Sequence, residues 1–276
     1  MIQTIQTKRS IYVLFLSLII FFSGLSAHAE KTLELSCSDQ IHQAFVQPSI
    51  DSFSKKHGVQ VNVYNTNSRC ALERLVNGFS SLSAITHTLD YQMKEYGYIE
   101  IPFGKDPIAI IVNSDLSLEN ITDTQFKYIF NRKITNWREL GGPDVKIILV
   151  IPGKNTELYK NFYHIAMNRS PIQYDYISYK STATAEVVKR FKGAISFIAR
   201  GAVIKEKGIT VLNVNGKSTT DPEYPYHQIF SFVTKGKPVG LPKLYIQFAF
   251  SDEGLLLMEE KGINLIPALE DPNLLK

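Results

Sequence analysis

Short apolar runs alternate with amphipathic stretches along the chain, and this alternation predicts strands that are followed by helices. Val59–Tyr64 alternates apolar and polar residues, which is typical of a half-buried strand, whereas Ile108–Val112 is continuously apolar and indicates a strand covered on both faces. The same patterns predict strands at Thr32–Ser36, Val145–Ile151, Gly193–Ile198 and Ile229–Val233, and helices at Ile41–His57, Cys70–Phe79, Thr122–Phe130, Thr156–Met167, Thr182–Phe191 and Pro242–Phe250. This order favours an α/β fold with mainly parallel sheets.

The N-terminal segment has the layout of an export signal. Lys8 and Arg9 precede the apolar run Ile11–Phe22, and small residues follow up to Ala29. A basic region, a short apolar run and a small-residue end predict a secretory signal peptide over residues 1–29, cleaved before Glu30. The alternative is a membrane anchor, but the run is shorter than the roughly 20 residues that a bilayer requires. We therefore expect a periplasmic protein with no membrane anchor after cleavage.

Composition and charge then exclude two broad classes. The 276 residues are 44% hydrophobic and include 16 Phe and 14 Tyr, which is enough apolar surface for a folded core and excludes a disordered chain. The net charge of +4 includes Lys8 and Arg9 of the predicted signal, so the exported part is nearly balanced. A dedicated nucleic-acid binder would carry a basic stripe and a higher excess of positive charge, so we expect no nucleic-acid partner.

Catalytic and metal-binding motifs are missing from the sequence. It contains no Gly-x-Ser-x-Gly, no His-Glu-x-x-His and no phosphate-binding P-loop motif, and its 6 His are scattered without the spacing of metal ligands. Acidic residues form no convincing acid–base pair. The sequence therefore predicts no enzymatic activity, no metal site and no cofactor.

Several predicted strands end in polar turns that lead into helices. The turns are Ser36–Gln40, Asn65–Arg69, Gly153–Thr156 and Ser181–Thr182. The N-terminus of a helix presents free backbone N–H groups and about half a positive charge, so several such ends around one cleft would bind an anion. Ordinary helix capping without a ligand is the alternative for any single turn.

A longer segment carries a family resemblance. Ile129–Gly142, with the sequence IFNRKITNWRELGG, resembles a segment in the second domain of the phosphate-binding proteins of ABC importers. Further similar segments follow in the family's order: Pro107–Asn113 resembles its crossover strand, and Lys192–Phe197, Glu223–Pro225 and Phe248–Gly254 resemble three later motifs. Together they span nearly all of the exported chain.

The resemblance implies a two-lobed type II periplasmic binding protein fold, an α/β fold with an interdomain cleft and a crossover-strand hinge. Lobe I would be discontinuous, comprising residues 30–112 plus 201–276, and lobe II would comprise residues 113–200. Trp137 is then expected to pack a scaffold turn, with Gly141 and Gly142 serving turn geometry.

The resemblance also implies a ligand site, although the phosphate motifs of the family are altered here. Its acid, which distinguishes monohydrogen phosphate from sulfate, aligns with Ser81, and its arginine clamp aligns with Val150. Asp39 brings a negative charge to the first turn, while Arg69 and Lys154 could supply positive charge. The expected ligand-binding residues are Ser38, Ser68, Arg69, Thr86, His87, Lys154, Asn155 and Thr156, with Ser181 and Thr182 as weaker candidates.

The cysteines have two interpretations. In an oxidising compartment Cys37 and Cys70 could form a disulfide that closes a loop of about 33 residues and stabilises the protein by roughly 3–4 kcal/mol; otherwise they are two small buried side chains. The resemblance places Cys37 beside the first ligand turn and Cys70 after the second, which favours the disulfide.

These observations predict an exported solute-binding protein that captures phosphate or a related small anion for ABC-type import. Its expected partners are the small anion and an ABC permease, and a monomer is the expected state. The alternative is a non-transport descendant of the family, acting as an envelope sensor or interaction protein whose ligand has changed or been lost.

Overall fold

Two strands cross the centre of the protein and carry the chain from one hydrophobic core to another. The computed structural model describes residues 32–266. Within it, β4 (Tyr98–Asn113) pairs antiparallel with β10 (His227–Lys235), and the pairing shifts register between Phe230 and Ser231. β4 is almost entirely buried, as its apolar half predicts, because other strands and helices cover both of its faces.

The other strands extend the sheet to either side of this pair. They are β1 (Thr32–Ser38), β2 (Gln60–Thr66), β3 (Leu82–Ile85), β5 (Asn120–Ile121), β6 (Ile148–Pro152), β7 (Tyr176–Ser178), β8 (Ala194–Ala199), β9 (Ile209–Val214) and β11 (Asn264–Leu265). The order is β2-β1-β3-β10-β4-β8-β6-β7, with β9 and β11 also on β4 and β5 on β9. β1 pairs parallel with β2 and β3, and β6 with β7 and β8, but every pairing of β4 and β10 is antiparallel. The prediction of mainly parallel sheets is therefore wrong at the centre, because β4 and β10 cross between the cores in opposite directions.

Helices follow most of the parallel strands, as the alternating pattern predicts. They are α1 (Asp39–Ile41), α2 (Gln47–His57), α3 (Ser68–Val76), α4 (Tyr91–Glu95), α5 (Asp123–Phe130), α6 (Glu157–Asn161), α7 (Ser181–Arg190), α8 (Gly240–Ala249) and α9 (Asp252–Glu260). π-helical turns at His42–Val46 and Phe162–Ala166 continue α1 and α6. The predicted cap of α5 is confirmed: Gln125 N donates to Thr122 Oγ1 while the Gln125 side chain accepts from Thr122 N.

The buried apolar residues form two large clusters. Core I packs β1, β3 and the first part of β4 against α2 and α8, and its members include Leu33, Phe45, Phe53, Ile101, Phe103, Phe230, Phe232, Tyr245 and Phe248. Core II packs the second part of β4 with β6 and β8 against α5 and α6, and its members include Ile108, Ile110, Phe126, Phe130, Trp137, Leu158, Phe162, Phe197, Leu212, Tyr224 and Tyr226. The lobe boundaries at 112/113 and 200/201 stay a prediction.

Trp137 packs a scaffold turn, as expected. Its side chain is buried in core II, and Nε1 donates to the Gly193 carbonyl at 3.0 Å. Gly141 has φ 81°, a conformation that favours glycine, whereas at Gly142 a Cβ would make a tight contact, 3.1 Å from the Trp137 carbonyl oxygen. The two glycines therefore serve one turn for different physical reasons.

The predicted disulfide is absent, because Cys37 and Cys70 are free thiols. Successive side chains of a strand point to opposite faces, and Ser36 Oγ donates to the Ala71 carbonyl of α3 at 2.9 Å. Cys37 therefore faces away from α3 and lies in core I, while Cys70 lies on α3. Burial, reinforced by the charge of Asp39, raises the pKa of the Cys37 thiol to about 12.

The predicted signal peptide, residues 1–29, lies outside the described residues. Within residues 32–266, no helix has both the length and the apolar character that crossing a membrane requires.

Candidate functional site between the two cores

A buried polar pair lies where the two crossing strands pass from one core to the other. Asp106 on β4 lies between Phe103 of core I and Ile108 of core II, and Gln228 is its register partner on β10. Asp106 is 2% exposed and Gln228 is fully buried. Buried polar side chains in an otherwise apolar sheet are costly unless they are hydrogen-bonded, so this pair requires partners and marks the strand crossing as a candidate site.

Amide side chains from three parts of the chain complete this network. Gln228 Nε2 donates to Asp106 Oδ2 at 3.2 Å, and Gln40 Nε2 of α1 donates to the same oxygen. From α6, Asn161 Nδ2 donates to Gln228 Oε1 at 2.8 Å and to the Thr86 carbonyl oxygen at 3.0 Å. We call Gln40, Asp106, Asn161 and Gln228 the amide–acid network. It joins the first predicted ligand turn, both crossing strands and the helix after the third turn.

Burial dominates the electrostatics of Asp106. Removal of the carboxyl group from water raises its pKa to about 7, although hydrogen bonds from Gln40 and Gln228 and the charge of Arg200 act in the opposite direction. Arg200 is half-buried and its guanidinium donates to the Gly262 carbonyl at 3.1 Å and to Asn264 Oδ1 at 3.0 Å. The carboxyl group is therefore poised to change its protonation state near neutral pH.

The second predicted turn meets the network through Thr86. Ser68, the first residue of α3, is fully buried; its Oγ lies 3.1 Å from Thr86 Oγ1 and accepts from Thr86 N at 3.2 Å. Asn67 caps α3 by accepting from Cys70 N. The structure thus brings Ser68 and Thr86 together, as the predicted site requires.

The residues of the first predicted turn, Ser36–Gln40, lie in different environments. Ser38 is buried and caps α1, its Oγ accepting from Ile41 N at 3.3 Å. Asp39 is exposed and accepts hydrogen bonds from Asn65 and Gln43, so its charge is engaged at the surface and does not enter the network. Gln40, which the sequence analysis did not select, is the residue of this turn that reaches Asp106.

The predicted cations are engaged elsewhere. The Arg69 side chain is 86% exposed and pairs with Glu73 one helical turn along α3, with Nε and Oε1 2.9 Å apart. Lys154 is exposed, with Nζ 4.4 Å from the centre of the Tyr174 ring. His87 is half-buried next to Thr86. Arg69 and Lys154 thus have partners outside the amide–acid network.

The third and fourth turns begin helices as predicted. Thr156 caps α6: its Oγ1 accepts from Tyr159 N at 3.2 Å and donates to the Gly153 carbonyl at 2.7 Å, while Asn155 is exposed. A Cβ on Gly153 would lie 2.7 Å from the ring of the exposed Tyr179, so that ring would have to move to admit a side chain. Ser181 and Thr182 form the first turn of α7, and only their backbone is described.

Four residues of this site were missed by the sequence analysis: Gln40, Asp106, Asn161 and Gln228. The available signal was an acid, Asp106, next to Lys105 and between the apolar runs Ile101–Phe103 and Ile108–Val112, since an acid in a buried strand requires partners. Its partners lie far away along the chain, so the sequence pattern could not identify them. The described residues hold no cluster of His, Cys, Asp and Glu that could bind a metal ion.

Comparisons with known proteins agree with this architecture. A family model described as "PBP superfamily domain" matches residues 25–253. The phosphate-binding protein PstS of Bacillus subtilis is 28% identical over 151 residues, which cover 53% of this chain and 50% of that protein. The phosphate-binding protein PstS of Borreliella burgdorferi is 22% identical over 273 residues, covering 92% of this chain and 97% of that protein.

Solved structures confirm the predicted fold class. An ABC-type phosphate transport receptor from Vibrio cholerae superposes with a TM-score of 0.74 at 20% identity, covering 84% of this chain and 99% of that one. A phosphate ABC transporter substrate-binding protein with bound phosphate from Clostridium perfringens superposes with a TM-score of 0.71 at 22% identity, covering 86% of this chain and all of that one. At these identities the likeness establishes the two-lobed fold.

Proposed function

Because the chain belongs to the PBP superfamily, we propose that it is a solute-binding protein of an ABC importer that captures phosphate or a related small anion between two lobes. The proposal draws on the phosphate-binding relatives that match most or half of the chain. It assigns binding without covalent chemistry, so the protein is not an enzyme.

The observation that carries the proposal is the amide–acid network at the crossing strands. Asp106 is a buried carboxyl group at the point where both strands change cores, which is where a cleft between two hinged lobes would lie. An ionised carboxylate can only accept hydrogen bonds. It therefore favours an oxyanion that still carries a proton, such as monohydrogen phosphate, over sulfate, which has none to donate at neutral pH. Asp106 would perform the discrimination that the family assigns to the residue aligned with Ser81.

Helix starts would supply the donors. α3 begins at Ser68, which contacts Thr86, and α6 begins after Thr156 and ends at Asn161 of the network. Backbone N–H groups in the first turn of a helix have no intrahelical carbonyl partner, so those that the Asn67 and Thr156 caps leave open would be available to an anion. The hydroxyl groups of Ser68 and Thr86 add directional donors without adding charge.

Titration calorimetry tests the proposal directly. We expect inorganic phosphate to bind the wild-type protein at least about tenfold more tightly than sulfate, since a charge-assisted hydrogen bond to a buried acceptor has that value. Asp106→Asn should reduce this preference, while Asp115→Asn, which changes an exposed acid of the same charge, should keep it. Absence of binding to phosphate, sulfate and a panel of small organic acids would overturn the proposal.

A second function is favoured by the positions of the cations. Arg69 pairs with Glu73 and Lys154 lies on Tyr174, so neither predicted cation compensates for the altered phosphate motifs. If no anion binds, the protein is better explained as a non-transport descendant that acts as an envelope sensor or interaction protein on the same scaffold. Pull-down of a permease by the wild-type protein would argue against this second function.

The location and partners follow from the first function. We infer export through residues 1–29, a periplasmic location, an ABC permease as the protein partner and a monomeric state. Retention of radiolabel in the unprocessed chain after pulse-labelling would contradict export with cleavage.

A further inference from the structure

Asn161 is the residue of the amide–acid network that comes from core II. It ends α6, the helix that begins at the third predicted ligand turn, and a π-helical turn follows at Phe162–Ala166. Its neighbours Leu158 and Phe162 are both members of core II. π-helical turns inserted in helices are frequently found at functional positions because they change the direction of side chains. Asn161 therefore lies on a segment that packs in core II.

Its side chain, in contrast, binds residues on the other side of the boundary. Nδ2 donates to the Thr86 carbonyl at 3.0 Å, directly after β3, whose Leu82 and Ala84 lie in core I. The same nitrogen donates to Gln228 Oε1 at 2.8 Å on β10. Asn161 is 9% exposed, so both hydrogen bonds are shielded from water. A single amide thus ties a core II helix to the strands that lead into core I.

The same contact determines which way the Gln228 amide faces. Because Gln228 Oε1 accepts from Asn161, its Nε2 is directed to Asp106 Oδ2, where it donates at 3.2 Å. With the amide reversed, Gln228 Oε1 would face the carboxyl oxygen and Nε2 would face the Asn161 donor, and both contacts would be repulsive when Asp106 is ionised. Asn161 therefore acts on the buried acid through Gln228.

We propose that Asn161 is a positioning residue that draws the two sides of the cleft together and orients the Gln228 amide toward Asp106. Both Nδ2 hydrogen bonds are made to protein atoms, so they hold α6 against β10 and the end of β3 whether or not a ligand is bound, and in this way they favour closure. If the closed form is already populated without ligand, less of the free energy of ligand binding is needed to close the protein. The bound ligand then also dissociates more slowly. This role goes beyond anion capture and does not depend on which anion binds.

Small-angle X-ray scattering without ligand tests the closure. Asn161→Ala removes both donors, and we expect its radius of gyration to exceed that of the wild-type protein, which should be roughly 18 Å for a compact chain of this length. Leu158→Val is the matched control, because it weakens core II on the same helix and keeps the Asn161 amide. We expect Leu158→Val to scatter as the wild-type protein does.

Stopped-flow release of inorganic phosphate provides a second measurement. We expect Asn161→Ala to release phosphate about tenfold faster than the wild-type protein, as the loss of two shielded hydrogen bonds implies, and Leu158→Val to release it at the wild-type rate. An unchanged radius of gyration in Asn161→Ala would overturn the proposal even if no phosphate binds. Equal opening in Leu158→Val would also overturn it, because the effect would then be a general loss of packing.

Discussion

The substitution Asp106→Asn should make the protein more stable at alkaline pH and should flatten the dependence of its stability on pH. Asn has nearly the shape of Asp and no charge, and its side-chain oxygen can accept the hydrogen bonds that Gln40 and Gln228 donate to Asp106. The charge of the half-buried Arg200 acts on Asp106, and it offsets part of the cost of the wild-type carboxylate. The substitution therefore removes an ionisable group from the protein interior and leaves the packing in place.

The magnitude follows from the raised pKa. Burial raises the pKa of Asp106 from 3.8 to about 7, so the folded protein binds this proton about a thousandfold more tightly than the unfolded chain. The stabilisation, about 4 kcal/mol as an upper figure, is fully present below the unfolded pKa near 3.8 and is lost as the pH rises through about 7. The free energy of unfolding of the wild-type protein should therefore fall across this range relative to that of the variant.

Urea unfolding followed by circular dichroism, at pH values from about 4 to 8.5 with a reducing agent, measures this difference. Other carboxylates and histidines titrate equally in the two proteins, so they cancel when the free energies of unfolding are subtracted. Asp115→Asn is the matched control, since it removes an exposed carboxylate and should follow the wild-type curve.

A constant difference between Asp106→Asn and the wild-type protein would refute the reasoning. It would mean that Asp106 ionises as readily in the folded protein as in the unfolded chain, either through water access or through a closer approach of Arg200. If Asp106→Asn instead becomes less stable than the wild-type protein as the pH rises, the effect has the opposite sign to the expected one. The carboxylate would then stabilise the folded protein.

Three further predictions concern the residues selected from the sequence. Ser68→Ala should lower the free energy of unfolding by about 1–3 kcal/mol, because it leaves the buried N–H of Thr86 without its acceptor; an unchanged urea midpoint would show that water replaces the hydroxyl. Arg69→Ala should leave the phosphate affinity within about twofold, since an exposed ion pair contributes little, and a tenfold loss in calorimetry would return Arg69 to the site. Titration of the denatured, unreduced protein with Ellman's reagent should find both Cys37 and Cys70 reactive. If no thiol reacts, the two residues form the disulfide after all.

Local features of the fold could be predicted because their causes are local. Thr122 and Gln125 lie three residues apart, so their reciprocal capping can be anticipated from the sequence alone. The apolar run Ile108–Val112 likewise predicts burial on both faces. The antiparallel centre of the sheet could not be anticipated, because it depends on a strand from near the C-terminal end pairing with β4.

The cysteines show how a correct local pattern can lead to a wrong contact. Both thiols do lie near predicted ligand turns, but neighbouring residues of β1 face opposite sides, and Ser36 occupies the side that faces α3. The period of a strand can be read from sequence, whereas the side on which a particular helix packs is decided by tertiary structure. Cys37 is therefore a core residue.

The altered phosphate motifs gain a different meaning once Asp106 is located. Judged by the turns alone, the chain has lost the family's acid at the position of Ser81 and its clamp at Val150, and this favours loss of the ligand. The structure places a buried acid on the crossing strand instead, with three amide side chains around it. In its ionised form this carboxyl group can only accept hydrogen bonds, so it suits an oxyanion that brings its own proton. Under the proposed function, binding would depend more on the crossing strands than on the turns. Phosphate should then still bind to Arg69→Ala, whereas Asp106→Asn should lose the preference for phosphate over sulfate.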